Sequence, residues 1–226
     1  MSVRVIPGEV EAKNATTRLV MPTPTQPAWP PFERVGETLA TTTRQFPAHG
    51  HQGQEVLTYV IEGFASYQFD SNAPEPMLAG AVRLLTTPGK SSHRISPAIG
   101  SPIRWFNLVV TAGGPGASAR LQSSEPTPGT RTAEGALVRP LVGPNAPLTS
   151  ASGLEVVDLE FVASGTAFLK MGHRRRGVAY VVGGRGAVDN QNVDGGEAAL
   201  IENAGGIALH GNPGFRVILS SAPFSG

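Results

Sequence analysis

Apolar runs of strand length, each closed by turn residues, recur along the whole chain. Residues 56–61, 82–85, 105–111, 154–162, 177–182, 198–202 and 215–219 are rich in Val, Ile, Leu and aromatics, with Glu62-Gly63, Pro88-Gly89, Ser164-Gly165 and Gly183-Gly184 close by. Successive side chains of a strand point to opposite faces, and Val157, Leu159 and Phe161 oppose Asp158 and Glu160 in that way. The 28 Gly and 20 Pro among 226 residues break helices and mark turns, which excludes an all-helical fold. The expected class is all-β, with antiparallel strands closed into sandwiches or barrels and little helix.

The pattern also repeats. Thr58-Tyr59-Val60-Ile61-Glu62-Gly63 matches Ala179-Tyr180-Val181-Val182-Gly183-Gly184 at an offset of 121. A Gly-led strand follows in each half, Gly80-Ala81-Val82-Arg83-Leu84-Leu85 and Gly196-Glu197-Ala198-Ala199-Leu200-Ile201, at an offset of 116. Their shared order points to a duplicated β-domain, joined through the loop-like stretch 112–135.

Charge and cysteine content narrow the chemistry. Eighteen basic against 17 acidic residues leave a net charge of +1, too little for bulk attraction to nucleic acid or an anionic membrane. The absence of cysteine excludes disulfide scaffolds, iron–sulfur clusters and thiol nucleophiles. No window reaches the ~18 apolar residues of a membrane span, and the opening MSVRVIPGEVEAKN lacks the apolar core of a signal peptide. A cytoplasmic protein is expected. The run Arg174-Arg175-Arg176 reads as a solvated loop that could also receive an anion.

Five histidines remain: His49, His51, His93, His173 and His210. In an extended strand His49 and His51 face the same side, and Glu55 joins them if the strand continues. Two imidazoles so placed stand about 6–7 Å apart, within reach of one metal ion. An antiparallel barrel can bring His93 beside them. Nitrogen and oxygen donors without sulfur suit iron(II), manganese, nickel, copper or zinc. In the second half Lys170, Gly172 and Arg176 stand at the offset positions of His49, His51 and Glu55, so no metal is expected there.

At these residues the chain resembles the cupins, and more closely the pirin family of two-barrel cupins. The first cupin motif reads His49-x-His51-x3-Glu55, and the fuller pirin form is supplied by Phe46, Pro47, His49, His51, Gly53, Glu55, Thr58, Tyr59, Glu62 and Gly63. The second runs from Gly80 through Thr86 to His93, and Arg104-Trp105-Phe106-Asn107-Leu108 resembles the segment that follows. Pirins usually add a Glu two residues after the last histidine; that position is Ile95 here, and Ala48 and Gln52 also depart from the usual Asp and Arg.

The resemblance implies two tandem cupin barrels of the double-stranded β-helix, jelly-roll type: residues 1–125 with the metal site and 126–226 a degenerate copy. It implies one divalent metal, iron(II) by family habit, held by His49, His51 and His93. Glu55 is expected to complete the ligand set or to act as a base toward a substrate hydroxyl. Tyr59, Phe64, Leu84 and Ile95 are candidates to line the barrel. Two roles follow from the resemblance: a quercetinase-like dioxygenase acting on a flavonol or other small electron-rich aromatic, or a non-enzymatic, metal-dependent regulatory module with a protein partner.

Overall fold

The structure, a computed structural model, describes residues 2–12, 16–40, 46–98, 101–112, 119–202 and 204–224. Among the described residues there is no helix. The chain divides into two compact units, one of Glu9–Thr127 and one of Met1–Gly8 with Pro128–Gly226.

After β1 (Ser2–Ile6), the first unit runs β2 (Glu9–Ala12), β3 (Thr16–Met21), β4 (Phe32–Ala40), β5 (His49–His51), β6 (Gln54–Glu62) and β7 (Phe64–Phe69). It continues through β8 (Glu75–Leu78), β9 (Val82–Thr87), β10 (Ser91–Pro97), β11 (Ile103–Thr111) and β12 (Arg120–Ser124). A seven-stranded sheet has the order β12-β9-β6-β11-β4-β3-β2, and a four-stranded sheet the order β5-β10-β7-β8. All pairs are antiparallel. The sheets share a core in which Val60, Ile103 and Trp105 from the larger meet Tyr67 and Ile95 from the smaller. Burial explains the sequence texture. β6 lies between β9 and β11 with Glu55 to Ile61 all buried, and so reads as a nearly continuous apolar run. β10 faces the core on one side only, so Ser91, His93, Ile95 and Pro97 are buried and alternate with half-exposed neighbours.

The second unit repeats the plan with β13 (Thr130–Arg131), β14 (Ala136–Val142), β15 (Glu155–Phe161), β16 (Gly165–Lys170) and β17 (Arg175–Gly183). It closes with β18 (Arg185–Val188), β19 (Gln191–Asp194), β20 (Ala198–Glu202), β21 (Gly206–Gly211) and β22 (Arg216–Pro223). Its sheets are ordered β1-β20-β17-β22-β15-β14-β13 and β16-β21-β18-β19, the same plan strand for strand. β17 begins 121 residues after β6, and β20 begins 116 after β9, the two offsets legible in the sequence. The turn after each central strand needs glycine. Gly63 and Gly184 have φ of +86° and +76°, and a Cβ on either would fall 2.2 Å from the Pro102 carbonyl oxygen or 2.5 Å from that of Gly214.

Two boundaries differ from the sequence reading. Met1–Gly8 groups with the second unit, because β1 pairs with β20 over Ser2↔Glu202 to Ile6↔Ala198 and covers that sheet edge, as β12 covers β9. Within the expected loop 112–135, β12 and β13 are strands; residues 113–118 of it lie outside the described residues.

Candidate metal centre

Three strands build the site. β5 is only three residues long, and its partner β10 sets His49 opposite His93 and His51 opposite Ser91. On its other side β10 pairs with β7, placing His93 against Phe69. His93 is thus central and 4% exposed, while His49 sits at the open rim. Its ring centroid is 4.4 Å from that of His49 and 5.0 Å from that of His51.

One ring nitrogen from each histidine lies within 4.8 Å of the others, and no other group of three or more possible ligands assembles among the described residues. The Nε2 atoms of His51 and His93 are 3.2 Å apart. Two nitrogens bound to one cation at about 2.0–2.1 Å, at octahedral to tetrahedral angles, stand roughly 2.8–3.4 Å apart. The spacing fits a shared metal.

The protonation states agree. Burial, then the charges of His49 and His51, push the His93 imidazole down to about 3. Desolvation also lowers His49; the Pro47 carbonyl opposes that, and the charges of His51 and Arg34 reinforce it. Neutral imidazoles are the metal-binding form.

The orientation of His51 is fixed from behind. The Gln54 amide nitrogen donates to the carboxylate of Glu33, which can only accept. The Gln54 Oε1 must then face the ring, where it accepts from His51 Nδ1–H at 2.7 Å. Thr111 Oγ1 donates to the same carboxylate at 2.9 Å. This chain keeps the proton on Nδ1 and turns the Nε2 lone pair toward the other histidines. Sequence reasoning missed Gln54 and Glu33, because cross-strand register brings them together: Gln54 lies opposite Thr111, and Glu33 comes from β4.

Glu55 does not join the group. The expected shared face required one unbroken strand, but β5 ends at His51 in the smaller sheet and β6 begins at Gln54 in the larger. Val56 lines the cavity in its place, and the fully buried Glu55 carboxylate accepts from Thr86 Oγ1 at 3.0 Å. Neither the ligand role nor the base role expected of it matches this placement.

The histidines open into a cavity of about 430 Å³, lined otherwise by Phe46, Val56, Ile95, Trp105 and Val109 with Arg34, Thr38 and Asn107 among the polar groups. Ile95 is the one lining candidate from the sequence that takes part. Tyr59 and Leu84 are buried but do not line the cavity, and Phe64 is 37% exposed.

The second barrel shows what replaces the histidines. Pro97 pairs with Ala65 in the first unit and Gly211 with Gly186 in the second, which makes Ile207 the counterpart of His93. Ile207 pairs with Leu169, the counterpart of His49, and Met171 then stands for His51. Met171 and Ile207 are buried in the apolar core, with Leu169 packed against it. The counterparts are therefore one residue earlier than Lys170 and Gly172, because three residues separate Met171 from β17 where two separate His51 from β6. His210 is exposed and bonded to Thr166. Two residues of the Arg174–Arg176 run are spent on structure: Arg175 bonds the Ser221 and Gly153 carbonyls, and Arg176 pairs with Glu202 at 2.8 Å.

Comparison with solved structures identifies the fold. The bacterial pirin YhhW of Escherichia coli, in complex with nickel(II), superposes with a TM-score of 0.86 at 15% identity, over 99% of this chain and 100% of that one. The protein GK1651 of Geobacillus kaustophilus gives 0.86 at 21% identity, over 97% and 94% of the two chains. The chain has a pirin-like cupin fold. A quercetin 2,3-dioxygenase of Acinetobacter baumannii shares it, with a TM-score of 0.84 at 14% identity over 98% of this chain and 79% of that one. No family sequence model and no curated protein matches the chain. Within the pirin-like fold, the first barrel carries the histidine cluster and the second an apolar core at the equivalent positions.

Proposed function

We propose that the first barrel binds one divalent transition metal, iron(II) as the working ion, through His49, His51 and His93, and that the protein is a dioxygenase for a flavonol or another electron-rich aromatic. The observation that supports this best is the convergence of three imidazoles at ligand spacing on a mostly apolar cavity. The fold shared with a quercetin 2,3-dioxygenase supports it further. When bound, iron(II) would supply Lewis acidity and one-electron exchange with dioxygen. The chain's own residues do the rest. Gln54 and Glu33 hold the His51 tautomer, while Phe46, Ile95 and Trp105 offer flat apolar surface that excludes water from a bound aromatic.

Anaerobic loading with iron(II), metal analysis, and oxygen uptake with flavonols and catechols test the proposal. Uptake should be abolished in His93→Ala. Bound iron without uptake above that control would refute the dioxygenase and favour a metal-dependent regulatory module. That second reading draws on Ile95, which leaves the three imidazoles without a carboxylate to offset the charge of a metal.

A further inference from the structure

The cavity beside the three histidines carries one cationic side chain and no acid. Its lining residues include Arg34 but neither Asp nor Glu. Arg34 comes from β4, where it pairs with Val109 of the cavity wall. Among the described residues its guanidinium has no hydrogen-bond or ion-pair partner, and Glu11 acts on it only through space. The acids nearest in sequence are engaged elsewhere. Glu33 receives Gln54 and Thr111, and Glu37 is paired with Arg104 at 2.6 Å and with Arg18 at 3.4 Å. A guanidinium in an apolar recess loses hydration, and an anion that pairs with its planar fork recovers it.

A metal on three neutral imidazoles adds charge of the same sign. Ile95, 5% exposed and two residues beyond His93 on the same face of β10, contributes only carbon to the site. Neutral ligands leave this excess positive charge in place, whereas an anionic ligand removes it.

We propose that the cavity selects an anionic ligand, an aromatic carboxylate whose carboxylate pairs with Arg34 while its ring lies against Phe46, Ile95 and Trp105. The inference rests on the metal-site reading and narrows its substrate class from electron-rich aromatics in general to acidic ones. Arg34 is the residue that sets this selectivity.

Calorimetric titration with 3-hydroxybenzoate and its neutral isostere 3-hydroxybenzamide tests it, using protein loaded with nickel(II) as a redox-quiet ion and, in parallel, metal-free protein. The carboxylate should bind at least about tenfold more tightly than the amide, as expected for a charge-assisted contact. In the metal-free protein Arg34→Met should bring the two affinities within about threefold and Arg34→Lys should keep part of the preference, while in the nickel form only the share due to the metal should remain after Arg34→Met. Equal affinities in the parent protein, or a preference that Arg34→Met leaves unchanged in either form, would overturn the proposal. If nickel does not bind, the metal-site reading fails, and the carboxylate-to-amide ratio in the metal-free protein decides the role of Arg34 by the same criteria.

Discussion

Replacing Gln54 by Leu removes the link between His51 and Glu33 at nearly constant volume. Two interactions go: the 2.7 Å bond from His51 Nδ1–H and the charge-assisted bond to the Glu33 carboxylate, which keeps Thr111. With no acceptor behind it, His51 also populates the tautomer protonated on Nε2, which cannot ligate. Loss of such an outer partner costs about 10–100-fold in metal affinity, or about 1.4–2.7 kcal/mol. Competition titration of nickel against a chromophoric chelator measures this, with the far-ultraviolet circular dichroism of the strands as the folding control. A double variant sharpens the test. In Glu33→Gln with Gln54→Glu, the new carboxylate accepts from His51 directly and the new amide donates to it, so affinity should return to the parent value or exceed it. Affinity in Gln54→Leu within twofold of the parent, or no recovery in the double variant, would refute the relay.

Ile95→Glu places a carboxylate on the histidine face of β10. It should lower the stability of the metal-free protein by more than about 2 kcal/mol and raise nickel affinity at least tenfold, as melting with and without nickel would show. Gly63→Ala, at φ +86° and against the Pro102 carbonyl, should cost more than about 2 kcal/mol in urea denaturation. For His93 the folded value of about 3 lies below the unfolded value near 6.5. Between those values the unfolded chain binds the proton that the folded site refuses. Stability of the metal-free protein is therefore complete above about pH 6.5 and falls as pH drops, by roughly 2 kcal/mol between pH 7 and 5. Urea midpoints at the two pH values measure the loss, which should shrink in His93→Gln.

Local signals carried most of the fold into the sequence. β10 alternates because one face is buried, and Gly63 and Gly184 recur because each turn brings a carbonyl where a Cβ would sit. The His49–His51 pair was legible for the same reason, since both lie in β5, and His93 was legible from its spacing. What was not legible depends on register between distant strands. Arg34 reaches the cavity through its pairing with Val109 and Gln54 meets Glu33 across sheet neighbours, relations without a local pattern. Glu55 failed in the opposite direction. A local parity rule was extended across a break at Gln52-Gly53, beyond which the chain enters a different sheet.

The two barrels form an internal comparison on one framework. Where the second places Leu169, Met171 and Ile207, the first places three imidazoles whose nitrogens converge. Filling these positions with carbon buries apolar surface at about 25 cal/mol per Å² and leaves no polar atom to satisfy. The histidine version does worse as a core: the buried His93 Nδ1 finds no hydrogen-bond partner among the described residues, although its Nε2 bonds with that of His51 at 3.2 Å. The unpaired nitrogen costs stability in the empty barrel, and the binding free energy of a cation held by the Nε2 atoms offsets that cost. The Gln54–Glu33–Thr111 chain adds polar groups whose geometry serves only to aim His51. On one framework, the second barrel is thus filled as a core, and the first is arranged to hold a ligand.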